Sequence, residues 1–207
     1  MRVVGGELSG RVLAAKVGPQ VRPTSDLVRG AIANMVDALI GWEDAVVTDL
    51  CCGTGGLGIE ALSRGAAHVT FVDAHAASIT ATRQNLVALG IDDRTDQRVT
   101  LMRADVVAWA SAPPSAGRPD APVDIILVDP PYAFDRWDDL LAALGRPGVL
   151  AAEGIVVAES NRALDPEAAV SGTWDVERVR KHGGTVVTVL AHASRSPAAT
   201  GVACPLA

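Results

Sequence analysis

Asp49-Leu50-Cys51-Cys52-Gly53-Thr54-Gly55-Gly56-Leu57-Gly58 places glycines at 53, 55 and 58, the spacing G-x-G-x-x-G. It follows a short apolar run, Ala45 to Leu50, and opens a segment, Gly56 to Arg64, that reads as helix. A strand that turns through such a loop into a helix lets the backbone come close to a ligand at the carboxyl edge of a parallel sheet. Asp73 lies twenty residues after Gly53, at the end of the next strand-like run, where a carboxylate can hold ribose hydroxyls. Taken alone, the pattern indicates an adenosine-type ligand and goes no further.

Reading outward, strands and helices alternate. His68 to Asp73 reads as strand, His75 to Leu89 as helix ending at Gly90, and Arg98 to Arg103 as strand. Val123 to Asp129 is a fourth strand after a Pro-rich loop, Asp135 to Leu144 is helical, and Gly154 to Glu159 is a fifth strand. Trp174 to Arg180 and Thr185 to Ala191 alternate around His182-Gly183-Gly184 like a hairpin. The expected fold is therefore α/β, a doubly wound and mostly parallel sheet closed by an antiparallel C-terminal hairpin. Upstream, Arg2 to Val4 and Arg11 to Ala15 read as a small β-hairpin. Val21-Arg22-Pro23-Thr24-Ser25-Asp26 follows and caps a helix carrying Leu27, Ile32, Met35, Val36 and Leu39. This predicts an N-terminal extension over residues 1–40, a main domain over 41–193 and a flexible tail over 194–207.

The chain has 207 residues, 49% hydrophobic and 20% charged, a globular composition with no apolar run long enough to span a membrane. Three cysteines, two of them adjacent at 51 and 52, exclude a disulfide framework and predict a reducing, cytoplasmic setting. Four scattered histidines and the Cys51-Cys52 pair suggest no metal site. The net charge of −6 argues against indiscriminate coating of nucleic acid. Within residues 1–36, however, Arg2, Arg11, Lys16, Arg22 and Arg29 outnumber Glu7 and Asp26. That is either a basic arm on an acidic body or ordinary scatter.

Charge separates two ligand classes for the loop. A dinucleotide offers its pyrophosphate to the helix N-terminus, and an acid at the loop entrance repels it. Asp49 stands at that entrance and suits a cationic ligand such as S-adenosylmethionine, unless it serves only as a turn cap. Asp105, with the Val106 backbone N–H, is placed to meet an adenine, or equally to cap the helix that follows.

Asp124-Ile125-Ile126-Leu127-Val128-Asp129-Pro130-Pro131-Tyr132 is the most informative stretch. A buried strand runs into two prolines, which fix φ and give up donors. The Asp129 carboxylate and the Pro130 carbonyl can then both accept from a planar –NH2 group, and Tyr132, the one tyrosine, can stack on the base that carries it.

The glycine loop and this corner together resemble the S-adenosylmethionine-dependent amino-methyltransferases of the D-P-P-Y class. Further motifs are similar to the RsmD-type 16S ribosomal RNA guanine-N2 methyltransferases: Arg2-Val3-Val4-Gly5-Gly6, Arg22-Pro23-Thr24-Ser25-Asp26 with Val28-Arg29, Gly58 to Ala66, and Gly183-Gly184-Thr185. The resemblance covers roughly residues 1–191. It implies a Rossmann-like class I methyltransferase domain, S-adenosylmethionine as cofactor, and methylation of one guanine N2 amine. The implied substrate is the small ribosomal subunit or a late assembly intermediate, met by a monomer. It implies catalysis by Asp129, Pro130, Pro131 and Tyr132, and cofactor binding by Asp49, Gly53, Gly55, Asp73, Asp105 and Val106. Arg22, Thr24 and Arg29 are the expected RNA contacts. Cys51 stands where the family usually has an aromatic residue, and Gly183 where an aromatic often precedes the last glycine. A DNA adenine-N6 or cytosine-N4 methyltransferase also needs such a corner, but 207 residues leave little room for its target-recognition region. A nicotinamide-dependent oxidoreductase gives no reason for Asp49 or for the corner.

Overall fold

The computed structural model describes residues 1–13, 25–113, 119 and 121–195. Helix α1 (Asp26–Leu39) leads into β1 (Val46–Leu50), α2 (Gly56–Ser63), β2 (His68–Asp73), α3 (Ala76–Ala88), β3 (Val99–Arg103) and α4 (Val106–Ser111). The chain continues through β4 (Val123–Val128), α5 (Trp137–Leu144), β5 (Leu150–Ser160), a single turn α6 (Pro166–Ala169), β6 (Trp174–His182) and β7 (Thr185–His192). The seven strands form one sheet in the order β3-β2-β1-β4-β5-β7-β6. The first five strands pair in parallel, and β7 joins β5 and β6 antiparallel. The expected doubly wound sheet with an antiparallel C-terminal hairpin is what forms.

Alternation along the central strands feeds two cores. Val47, Val69, Phe71, Ile125, Leu127, Ile155 and Val157 point to one face and pack with α1, α2 and α3. Leu50, Val72, Ile126, Val128 and Val156 point to the other and pack with α4 and α5. Strands buried on both faces read as continuous apolar runs, which is why β4 was so legible. Val3 and Leu13 join the first core, so the N-terminal segment packs on the same interior as the sheet.

Several boundaries differ from the sequence reading. Among the described residues the N-terminal hairpin holds one bridge, Arg2 with Val12, flanked by Val3 N–H donating to Arg11 O and Leu13 N–H to Met1 O, and Ala14 and Ala15 of its expected second arm lie outside them. Strand β5 starts four residues before Gly154, because Leu150 pairs with Val123 across an irregularity ahead of Ile125. Helix α6 carries no sequence signal beyond Pro166 at its start. The strand order reverses between β1 and β4, and both strands end at the same edge. A crevice opens there by the rule that governs open α/β sheets.

Candidate active site

The crevice is a cavity of about 920 Å3. One wall is the glycine loop. Cys51, Gly53 and Gly55 all take left-handed backbone, with φ of 60°, 55° and 79°. Gly55 also caps α2, and a Cβ there would fall 2.8 Å from Thr82 Cγ2, so both the turn and the close approach require glycine. Gly58 N–H donates to Asp49 Oδ2 at 2.9 Å, and Gly53 N–H to Asp73 Oδ2 at 3.0 Å. The other Asp73 oxygen takes His75 N–H at 2.8 Å. Two side chains of α3 hold the loop from behind: Thr82 Oγ1 donates to Gly53 O at 3.1 Å and Asn85 Nδ2 to Thr54 O at 2.9 Å. Neither was singled out from the sequence, since a buried polar pair on a helix has no local signature.

Asp49, Asp73, Asp105 and Asp129 all line this cavity. Burial pushes the Asp49 carboxyl up to about 8, and the charges of Asp129 and Asp73 add to it against the Gly58 hydrogen bond. Burial and the surrounding aspartates also push both the Cys51 and Cys52 thiols up, so they remain protonated. These acids outnumber the one arginine of the lining, Arg29, and a cleft with such an excess concentrates cations. Among the described residues no three His, Cys, Asp or Glu side chains converge as metal ligands would.

Asp105 performs the capping role left open by the sequence. Its Oδ1 accepts from Val107 and Ala108 N–H at 3.1 and 2.9 Å, and its Oδ2 receives Arg136 Nη1 at 3.0 Å. It still borders the cavity beside Val106.

The opposite wall is the corner after β4. Asp129 N–H donates to Leu50 O at 3.3 Å, which clips the corner to the tip of β1. Pro130 is buried, while Pro131 and Tyr132 are exposed. The Asp129-Pro130-Pro131-Tyr132 corner thus faces the same cavity as Asp49, Gly53 and Asp73. The Tyr132 hydroxyl lies 3.1 Å from Thr185 Oγ1, so the ring is tethered at its tip although it is 52% exposed.

One expected RNA contact is overturned. Arg29 is 0% exposed. Its guanidinium bonds Asp26 Oδ1 at 2.9 Å and the Arg2 carbonyl, and lies 3.7 Å from Glu60 Oε2. A cation enclosed in that way holds the fold and cannot reach a phosphate in solvent. Arg22 and Thr24 lie outside the described residues. The residue that organises this region is Glu60, read from the sequence only as part of a motif. Its two oxygens accept from Val4 and Gly5 N–H, each at 2.8 Å, and one also takes Arg64 Nε at 2.9 Å.

A sheet of this order, with an acidic glycine-loop cavity and an Asp-Pro-Pro-Tyr corner at one edge, defines a Rossmann-like methyltransferase. Residues 1–191 match the family described as "Conserved hypothetical protein 95", and the chain belongs to that family. It is 33% identical over 189 residues to the "Putative rRNA methyltransferase YlbH" of Bacillus subtilis, covering 91% of this chain and 97% of that one. It is 29% identical to the "Ribosomal RNA small subunit methyltransferase D" of Escherichia coli, covering 88% and 85%. Among solved structures, the "Putative methyltransferase yhhF" of Escherichia coli superposes with a TM-score of 0.74 at 26% identity, covering 93% and 97%.

Proposed function

We propose that the protein transfers a methyl group from S-adenosylmethionine to the N2 amine of one guanine in 16S rRNA, within the small ribosomal subunit or a late assembly intermediate in the cytoplasm. One observation carries the reading: the Asp129-Pro130-Pro131-Tyr132 corner and the Asp49–Asp73 glycine loop open onto one cavity. The names of the relatives supply the class of RNA.

S-adenosylmethionine supplies an electrophilic methyl group on a sulfonium. The cavity fits it by charge, since four aspartates face a ligand that carries a sulfonium and an ammonium. Glycine at 53 and 55 lets the loop take the left-handed turns that carry it past the cavity. In this reading Asp73 accepts from the ribose hydroxyls, and Val106 with Asp105 meets the adenine. On the other side, the Asp129 carboxylate and the Pro130 carbonyl accept from the two amine hydrogens. This holds the nitrogen and favours its pyramidal form, aiming the lone pair in line with the methyl group. Most of the acceleration is then positioning and electrostatics. The amine loses its proton after the C–N bond forms, and Asp129 is the acceptor within reach. The target base must leave its stack to enter.

The experiment is mass-spectrometric mapping of rRNA from a deletion strain. One methylguanosine should be missing from 16S rRNA and return with the wild-type gene. An unchanged methylation pattern refutes the proposal, and a loss confined to DNA assigns a different nucleic acid.

A further inference from the structure

The cavity has a third wall, made by the half of the sheet that follows the corner. Val128 of β4 pairs with Ala158 of β5 in parallel register. Asp129, the first residue after β4, and Glu159, the next along β5, therefore follow that last pair side by side at one end of the sheet. Both line the cavity. Glu159 is only 6% exposed, and β7 borders it on the far side through its pairing with Val187.

A directed chain of hydroxyls fixes this wall. Thr185, directly after the Gly183-Gly184 turn, donates its hydroxyl hydrogen to Glu159 Oε1 at 3.3 Å. A hydroxyl has one hydrogen, so the contact between Tyr132 and Thr185 must run from the phenol to Thr185 Oγ1. The order Tyr132 to Thr185 to Glu159 ends on a carboxylate that accepts. It couples the exposed ring of Tyr132 to the buried acid across three separate segments of chain.

We propose that Glu159 selects guanine by accepting from its ring N1–H, while Asp129 and the Pro130 carbonyl hold the adjacent amine. The proposal rests on the guanine-amine reading above. Guanine presents N1–H and N2–H2 side by side as donors, and two acceptors side by side at one end of the sheet complement that edge. Adenine and 2-aminopurine carry a bare N1, an acceptor that a carboxylate repels. Thr185 is a positioning residue: it orients the carboxylate and, through Tyr132, the plane on which the base lies. Sites built around a buried hydrogen-bonding group reject analogues lacking the partner far more strongly than apolar pockets do.

The test uses small subunits reconstituted with the mapped guanosine intact or replaced by 2-aminopurine riboside, which keeps the amine but lacks N1–H. The wild-type protein should favour guanine by about 100-fold or more in kcat/KM. In Glu159→Gln, whose amide can turn to donate, the preference should fall below about 10-fold, because an amide donor can meet the bare N1. Thr185→Val should narrow the preference, and Thr185→Ser should restore it. S-adenosylhomocysteine binding by each variant reports that the fold and the cofactor half are intact. A guanine preference unchanged in both Glu159→Gln and Thr185→Val overturns the role of Glu159 while leaving the methyl-transfer reading standing. A wild-type protein that ignores the guanosine subunit overturns both.

Discussion

At Asp129 the position and the proposed chemistry are hard to separate. Its amide is clipped to Leu50, so main-chain atoms help to hold the backbone of the corner. Asp129→Ala should therefore abolish methyl transfer while calorimetry still finds S-adenosylhomocysteine bound within a few-fold of wild type. Full activity in the variant would remove Asp129 from the mechanism. Gly58 is constrained by packing, since a Cβ there would lie 2.3 Å from Phe71 Cε1. Gly58→Ala should cost about 1–3 kcal/mol in chemical denaturation, the usual range for an overfilled interior. The glycine spacing and the Asp-Pro-Pro-Tyr corner were legible because each residue type there has few reasons to occur. Arg29 was misread for the opposite reason: a lone arginine has a solvated reading by default, and its buried partner Glu60 stands on another helix.

Among the elements, α2 is the one on which the N-terminal segment is built. Glu60 projects from it to receive two backbone amides of that segment and to neutralise Arg29 and Arg64. Glu60→Ala takes one of two carboxylates from the buried Arg29, which keeps Asp26, and removes the acceptor of two backbone amides, so it should lower stability by about 1–3 kcal/mol, the range for buried donors left unsatisfied. Hydrogen exchange should also quicken at Val4 and Gly5, and protection equal to wild type there would show that the segment is held by other contacts. Strands β1, β2 and β4 could be read from their apolar runs, and β7 from its alternation around a Gly-Gly turn. The start of β5 was hidden, because Ala151, Ala152 and Glu153 resemble a loop until Leu150 is seen against Val123. The Tyr132–Thr185–Glu159 chain could not be read at all. It depends on β7 inserting between β5 and β6, a fact of sheet order and not of local pattern.

For the molecule as a whole, the buried Asp49 couples stability to pH. Asp49 has a folded value near 8 against 3.8 when exposed. Below pH 3.8 both states hold the proton and Asp49 imposes no penalty. Between pH 3.8 and about 8 the unfolded chain ionises while the folded one resists, so its contribution falls as pH rises and levels off above 8. Asp49→Asn should flatten that slope in denaturant titrations and raise stability at pH 8, while weakening cofactor binding. A wild-type slope in the variant would show that other groups dominate. A cationic ligand beside Asp49 favours its ionised form, so binding near neutral pH should release a proton. Calorimetry in phosphate and in Tris should then give different apparent enthalpies, and identical ones would contradict the coupling.

Among the described residues the sheet ends at β6, whose outer edge has no neighbouring strand. Its ladder to β7 is interrupted between Val176 and Arg178, and Arg178, Arg180 and Lys181 follow in quick succession. A bulge and clustered cations make a poor template for strand recruitment by another chain, so this border resists growth into aggregates despite the exposed Val176 and Val179. Replacing those cations with neutral β-formers would turn a guarded margin into a sticky one, and the damage would appear as fibrils or precipitate long before any loss of the native core.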